Sequence, residues 1–150
     1  MTNWTHKKFS ELGPEELYAV LRLRSEVFVV EQNCVFLDMD NKDQLSHHLM
    51  GWQDDVLVAY ARIVPPGISY AEFSIGRIVS SPKVRNQGIG RVLVSKGIDL
   101  AYTLHGKGII RIGAQYYLRG FYESFGFEKA GEIYLEDGIQ HIEMLLFMKG

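Results

Sequence analysis

Residues 80–92 read SSPKVRNQGIGRV and join a strand-like run to the clearest helical pattern of the chain. The strand-like run covers 72–80, and Pro82 ends it because proline cannot donate to a sheet ladder. The helical pattern covers 88–104, with apolar residues recurring on one face. A basic, glycine-containing loop that opens into a helix is typical of a phosphate or pyrophosphate site, because the orphan N–H groups there carry partial positive charge.

Two common nucleotide loops do not fit this stretch. A Walker loop needs Gly-Lys-Ser/Thr, but Gly90 is followed by Arg91 and Val92. The dinucleotide fingerprint needs a third glycine, and Leu93 stands in its place. From the residues alone, two interpretations stay open: a phosphate-binding loop of another kind, or a glycine-rich helix start without a ligand.

The composition narrows the class of protein. A chain of 150 residues with 47% apolar and 23% charged residues predicts one globular domain, 1–150. The net charge of -2 and the absence of a basic run argue against a nucleic-acid partner. No apolar run reaches the roughly 20 residues of a membrane helix, and the first residues lack the apolar core of a signal peptide, so we expect a cytoplasmic protein. The single cysteine, Cys34, predicts no internal disulfide, and no ligand spacing suggests a metal.

The remaining patterns predict an α/β (α+β) architecture. We expect strands at 4–9, 47–53, 56–63, 72–80, 109–115, 128–134 and 141–148, and helices at 14–28, 88–104 and 118–125. The segment 29–43 is irregular and acidic. The central strand–helix–strand unit is a crossover, so its two strands should be parallel.

Two motifs together resemble the GNAT (GCN5-related N-acetyltransferase) superfamily. Arg85-Asn86-Gln87-Gly88-Ile89-Gly90 is similar to its Gln/Arg-x-x-Gly-x-Gly/Ala signature. A later strand is followed by a short helix that reads FYESFGF over 121–127, which resembles the second motif of the family. Four further stretches, 27–34, 58–62, 75–78 and 136–142, resemble the ElaA-like subgroup. The resemblance implies a GNAT-like acyl-CoA N-acyltransferase fold. Its central sheet is mixed but mostly antiparallel, with about seven strands, helices on both faces, and strands 4 and 5 parallel and splayed.

The resemblance also implies acetyl-CoA as the donor, with no metal, and assigns the residues that hold it. The pantetheine arm should pair with the backbone of Ile78, Val79 and Ser80. The pyrophosphate should sit over Arg85, Gln87, Gly88, Gly90 and Arg91. Tyr122 occupies the tyrosine position of the family, so we expect it to protonate the departing thiolate; the alternative is a packed aromatic residue.

The sequence says less about the residues that bind the acceptor and remove its proton. Arg24, Phe28, Glu31, Arg77 and His141 are candidates for substrate binding, together with Glu26 and Gln32. Acidic side chains would attract a cationic amine, and arginines would bind a substrate carboxylate; local ion pairs are the competing interpretation. Candidates for the general base are Glu31, Glu72, His48 and His141, and water is a further one.

The function expected from the resemblance is direct transfer of an acetyl group from acetyl-CoA to a primary amine of a small molecule or peptide. Two alternatives stay open. One is a related acyl-CoA enzyme with another acceptor, as in the autoinducer synthases, and the other is a non-catalytic acyl-CoA-binding module. A homodimer is a further possibility that the resemblance suggests.

Overall fold

The computed structural model describes residues 1–147 and contains one mixed sheet of eight strands. The spatial order is β1-β2-β3-β4-β5-β8-β6, and β7 pairs with β8 beside β6. The strands are β1 Asn3–Lys8, β2 His47–Gln53, β3 Val56–Val64, β4 Phe73–Ser80, β5 Ile109–Gln115, β6 Glu128–Lys129, β7 Tyr134–Glu136 and β8 Ile139–Phe147. All neighbours are antiparallel except β4 and β5, as predicted.

Helices cover both faces of the sheet. They are α1 Pro14–Arg24, α2 Ile89–His105 and α3 Arg119–Glu123. The apolar stripe of α2 packs on one face and completes the larger core, where Gly97 brings the helix close to Ile75 of β4. On the other face, α1 packs against Tyr60 and Val79 and forms a second, smaller core.

The first helix does not end where the sequence pattern suggested. We predicted that it ends at residue 28. In the structure α1 ends at Arg24, and a π-helical segment, Ser25–Glu31, carries the helical structure on to Glu31. Wide π-helical turns are often found at functional sites because they re-aim the side chains of a helix. Here the segment carries Phe28 and Glu31 toward the carboxyl end of β4, where both line the cavity described below.

The predicted hairpin between β2 and β3 is confirmed. Asp54 and Asp55 form its two-residue turn, and both have positive φ, 48° and 63°. Two central residues with positive φ are the geometry of a type I′ turn, which matches the twist of the flanking strands.

The C-terminal strands differ from the prediction. The strand expected at 128–134 is two short strands, β6 and β7, which pair with β8 on either side of an unpaired stretch. Gly131, with φ 138°, lies in that stretch and takes it away from the ladder. The last strand was predicted to reach Met148, which lies outside the described residues.

Strands β4 and β5 separate soon after they begin. Among the described residues they pair at Phe73 with Ile110 and at Ser74 with Arg111, and no further. Arg77 has φ 50° in the middle of β4, and the register with β3 shifts by one residue there. A bulge of this kind bends the strand and increases its twist, so β4 turns away from β5. Splayed parallel strands were predicted from the resemblance and are confirmed.

Candidate active site

A cavity of about 920 Å³ opens where β4 and β5 diverge. It is bounded by the second half of β4, the end of β5, α3, the π-helical segment and the turn between β7 and β8. The sequence-predicted residues that line it are Phe28, Glu31, Gln32, Arg77, Ile78, Val79, Ser80, Arg85, Tyr122 and His141. The fold therefore brings most of the predicted donor and acceptor residues to one place.

One wall of the cavity is a free strand edge. Within residues 1–147, the backbone groups of β4 that face β5 have no partner strand beyond Ser74, while the opposite edge of β4 stays paired with β3 as far as Ser80. An extended ligand with amide groups can pair with such an edge as an added strand would. Ile78, Val79 and Ser80 lie along this edge, and a pantetheine arm with its two amides fits it.

The loop between β4 and α2 leaves its backbone accessible. Gly88 is the N-cap of α2 and has φ 75°, a conformation that favours glycine. A Cβ placed on Gly88 would meet no atom within 4 Å, so backbone conformation, rather than crowding, explains this glycine. Gln87 and Gly88 are exposed, and Gly90 is partly exposed, in the first turn of a 17-residue helix. This arrangement suits a pyrophosphate.

The two arginines of this loop point in different directions. Arg91 donates to Ser124 Oγ at 3.0 Å and lies 4.6 Å from the centre of the Phe125 ring, so it holds α3 against α2. Arg85 turns back toward the π-helical segment. Its two terminal nitrogens donate to the two carboxylate oxygens of Glu31, each at 2.7 Å, and the hydrogen bonds of Arg85 hold the pKa of Glu31 below its ordinary value.

Tyr122 lies in α3 with its side chain between the main core and the cavity. Its ring packs edge-on against Phe121 and Phe127, and the residue is buried. Burial raises the pKa of Tyr122 well above its ordinary value, and the neighbouring Tyr117 adds to the shift. A phenol in this environment stays protonated at neutral pH and can donate a hydrogen bond into the cavity.

Arg24 does not line the cavity, in contrast to its predicted role in binding substrate. Its side chain is fully buried and makes two ion pairs, Nε with Asp38 and Nη1 with Asp43, both at 2.8 Å. The competing interpretation, a local ion pair, therefore describes this residue. Burial alone would lower the pKa of Arg24, but the hydrogen bond to Asp43 and the nearby acids raise it above its ordinary value, so it stays charged.

The pairs of Arg24 belong to a larger cluster that holds the acidic segment on the sheet. Arg62 of β3 bridges Asp40 and Asp43 with Nη1, at 2.7 and 2.9 Å. Arg77 of β4 pairs with Asp38 at 2.8 Å. We call Arg24, Asp38, Asp40, Asp43, Arg62 and Arg77 the ion-pair cluster. The ion-pair cluster fixes the acidic segment 29–43, which the sequence predicts to be irregular. This segment forms one side of the cavity.

Comparison with known proteins agrees with this geometry. Residues 11–147 match the family model described as an acetyltransferase (GNAT) domain. The chain belongs to the GNAT acetyltransferase family. Protein ElaA of Escherichia coli is 42% identical over 146 residues, which are 96% of this chain and 95% of ElaA. The crystal structure of ElaA superposes with a TM-score of 0.92 at 40% identity, covering 97% of this chain and 99% of that one. An acyl-CoA N-acyltransferase from Pseudomonas aeruginosa superposes with a TM-score of 0.93 at 40% identity, with the same coverage.

Membership of the GNAT family supports an acyl-CoA-dependent acyltransferase, and the GNAT-like fold predicted from the sequence is confirmed. Within residues 1–147, no helix combines the length and apolar character needed to cross a membrane. In the same part of the chain, no three side chains of His, Cys, Asp or Glu gather so that they could hold a metal ion.

Two candidate bases of this GNAT domain lie away from the cavity. Glu72 receives two hydrogen bonds from Arg111, both at 3.0 Å, and these lower its pKa. His48 is fully buried: Nε2 donates to the carbonyl of Asp43 at 2.9 Å, and Nδ1 lies 2.6 Å from the Tyr60 hydroxyl. Both side chains are occupied by structural partners. Glu31 and His141 are the candidates that line the cavity.

The structure adds contacts that the sequence did not predict, and one of them involves Gln32, an acceptor candidate that also lines the cavity. The side-chain amides of Gln115 and Gln32 meet across the cavity. Each Nε2 donates a hydrogen bond to the Oε1 of the other, at 3.3 Å. Cys34 lies beside the carbonyl of Asp137, with its Sγ at 3.3 Å. Tyr134 stacks on His141, with ring centres 5.7 Å apart. Gln32, Cys34, Asp137 and His141 lie in the stretches 27–34 and 136–142, but the sequence does not show that they meet; the structure brings them together where β5 and β7 end and β8 begins.

Proposed function

We propose that this GNAT domain transfers an acetyl group from acetyl-CoA directly to a primary amine of a small molecule or a peptide. The observation that carries the proposal is the free edge of β4 beyond Ser74, which opens into the same cavity as Tyr122. An extended acyl donor on this edge would bring its thioester to the point where the strands separate, near Ile78 and Ala114.

The donor half of the reaction needs binding and orientation. The backbone of Ile78, Val79 and Ser80 would pair with the pantetheine amides. The pyrophosphate would rest on the N–H groups of the first turn of α2 and on Arg85. A backbone N–H at the separated strands would stabilise the negative charge that develops on the thioester oxygen. In this arrangement the protein supplies fixed hydrogen-bond donors, and the reactive bond belongs to the donor.

The chemistry then needs a proton for the departing sulfur. A thiol has a pKa of about 8.5, so protonation of the thiolate near neutral pH is mildly favourable. Tyr122 would donate this proton, because burial keeps its phenol protonated and its side chain borders the cavity. The reaction therefore requires only modest help from a proton donor.

An amine acceptor agrees with the charges at the other end of the cavity. Glu136 and Asp137 lie at the turn between β7 and β8, and both border the cavity. The basic residues nearby, Arg77 and Arg85, are already paired with Asp38 and Glu31. The charge at the turn itself is therefore negative, which attracts an ammonium group before it reacts; Lys42 also lines the cavity, and its ammonium group donates to the Ser69 hydroxyl.

The test is a thiol-release screen. Purified protein is incubated with acetyl-CoA and a panel of amino acids, polyamines, aminoglycosides and peptides, and free thiol is measured with a chromogenic disulfide. We expect release with at least one amine and an N-acetylated product by mass spectrometry. A parallel screen with longer acyl-CoA donors tests the preference for acetyl. Absence of coenzyme A binding in calorimetry would contradict the proposal at its first step.

A further inference from the structure

His141 is the second residue of the cavity, besides Tyr122, whose geometry prepares it for a proton transfer. It lies near the start of β8, directly opposite Gln115 at the end of β5. The residue is buried against protein on most sides, and its accessible part borders the cavity. An imidazole is the side chain whose ordinary charge change falls between about pH 5 and 8, where a base is needed for an amine.

The tautomer of this ring follows from its backbone contact. Nδ1 lies 2.8 Å from the carbonyl oxygen of Ile139, and a carbonyl can only accept a hydrogen bond. In the neutral ring, Nδ1 therefore carries the hydrogen, and Nε2 is left with its lone pair. A base that is oriented in this way by a partner on its other nitrogen is the usual arrangement for a catalytic histidine.

Two carboxylates lie on the side of the ring that faces the turn between β7 and β8. The carboxylate of Glu136 on β7 approaches Nε2, with Oε2 at 3.6 Å. Asp137 lies in the adjoining turn, Tyr134 of β7 stacks on the ring, and Cys34 adjoins Asp137. On β8 itself, Glu143 is paired with Arg111 at 2.8 Å. From β5, Gln115 is uncharged. Of the charged groups named here, Glu136 and Asp137 are the ones without an arginine partner among the described residues, so they can hold a cationic amine beside Nε2.

The other candidate bases are committed elsewhere. Glu72 is bound by Arg111, and His48 is buried with both nitrogens occupied. Glu31 borders the cavity, but both of its oxygens accept hydrogen bonds from Arg85. A carboxylate held by an arginine in this way is a weaker base than a free one, as its lowered pKa indicates.

We propose that His141 is the general base of the reaction and that its acceptor is a cationic amine held by Glu136 and Asp137. This inference rests on the proposed amine acetylation. Nε2 takes one proton from the ammonium group, and the neutral nitrogen attacks the thioester carbon. The new C–N bond forms as the C–S bond breaks, and Tyr122 donates its proton to the sulfur. The phenol is restored by the second proton that leaves the nitrogen, and His141 releases its proton to water.

Two substitutions remove the basic Nε2 of His141, and one of them keeps the hydrogen bond that positions the ring. His141→Asn keeps an N–H donor at the position of Nδ1, so the bond to the Ile139 carbonyl survives while the basic nitrogen is lost. His141→Gln places an uncharged amide near the position of Nε2. For both variants we expect kcat/KM for the amine at pH 7 to fall by about 10²–10⁴-fold, with unchanged coenzyme A affinity. His6→Gln, an exposed histidine on β1, is the matched control and should behave as wild type.

The pH profile distinguishes a base from a structural residue. The wild-type rate should level off at a lower pH than the rate of the variants, because a general base lets the enzyme use the protonated amine. The rate of the variants should keep rising, about tenfold per pH unit, up to the pKa of the amine, because they depend on amine that is already neutral. Nitrogen NMR of His141 in the free protein should show hydrogen on Nδ1 and none on Nε2 at high pH.

The outcomes separate the two proposals. If the wild type releases thiol with no amine, amine acetylation fails, and the base role falls with it. If the wild type turns over and both variants keep its rate and its pH profile, amine acetylation stands and the base role of His141 is wrong. A hydrogen on Nε2 in the NMR measurement would also overturn the base role.

Discussion

Arg85 and Glu31 form a bidentate ion pair across the mouth of the cavity, with both nitrogen–oxygen distances at 2.7 Å. Arg85 belongs to the loop expected to hold pyrophosphate, and Glu31 ends the π-helical segment on the acceptor side. A pyrophosphate would compete with this carboxylate for the same guanidinium. The pair therefore connects the donor half of the site to the acceptor half through a single side-chain contact.

Glu31→Gln should tighten coenzyme A binding. The amide no longer competes for Arg85, and an exposed ion pair of this kind contributes about 0.2–1 kcal/mol, so the gain should reach about fivefold at most. Calorimetric titration with coenzyme A measures it. Glu26→Gln removes the same charge from the same segment without breaking the pair, and an equal gain in that variant would show that net charge, rather than the pair, is responsible.

Tyr122→Phe should lower kcat by about 10²-fold, the lower end of the range for general acid catalysis, because thiolate protonation is already mildly favourable. The affinity for coenzyme A should hardly change, since the ring and its packing are retained. Steady-state kinetics and calorimetry check the two parts. Tyr117→Phe, an exposed tyrosine at the rim of the cavity, is the control. An unchanged kcat in Tyr122→Phe would remove this residue from the mechanism.

Arg24→Met should destabilise the fold by about 3–5 kcal/mol, because it leaves the carboxylates of Asp38 and Asp43 buried with fewer partners. The free energy of unfolding in urea measures the loss. Arg22→Met changes an exposed arginine of the same helix and should stay within about 0.5 kcal/mol of wild type. If both variants lose the same stability, the cluster does not have the role assigned to it.

Acid should weaken the ion-pair cluster. Burial alone would raise the pKa values of Asp40 and Asp43, but Arg62 for Asp40 and Arg24 for Asp43 lower them below the ordinary range. Their stabilising contribution is therefore fully present above the unfolded value of about 3.9 and is lost as the pH falls below it. Urea unfolding between pH 6 and pH 3 should show stability falling below about pH 4.5. The slope should be smaller in Asp40→Asn, and an equal slope would contradict the role of Asp40.

Gly113→Ala should impair acceptor binding and spare donor binding. A Cβ at this position of β5 would lie 2.8 Å from the Tyr134 hydroxyl and 2.9 Å from the Tyr70 hydroxyl, so both phenol side chains would have to shift, including the ring that stacks on His141. We expect a higher KM for the amine and an unchanged dissociation constant for coenzyme A. Gly120→Ala in α3, where a Cβ meets nothing within 4 Å, is the matched control. A normal KM for the amine in Gly113→Ala would separate Tyr134 from acceptor binding.

Much of the fold could be predicted from local sequence patterns. The bounds of β5 and the turn at Asp54 and Asp55 agree with the prediction, because each depends on a few neighbouring residues. The extension of α1 into a π-helical segment was not accessible. Val29 and Val30 are poor helix formers, so local propensity does not indicate that helical structure continues through them.

The same distinction between local pattern and tertiary contact applies to the residues of the candidate site. Arg24, His48 and Glu72 had the right side chains for binding or base chemistry, and each is occupied by a structural partner; for Arg24 and Glu72 that partner is far along the chain. Asp43 lies 19 residues beyond Arg24, and Arg111 lies 39 beyond Glu72. His141 and Glu31 had no stronger sequence signal than these three, yet both reach the cavity.

The sequence by itself determined the family and the fold, and it predicts the donor half of the site. The loop from Arg85 to Gly90, the helix that follows and the FYESFGF stretch are contiguous segments, and what they do depends on backbone conformation and helix ends that neighbouring residues set. Only the tertiary structure decided the acceptor half. Whether an arginine, histidine or glutamate is free to act depends on which opposite charge or carbonyl is brought against it, and that partner is chosen by the packing of β3, β5 and β8.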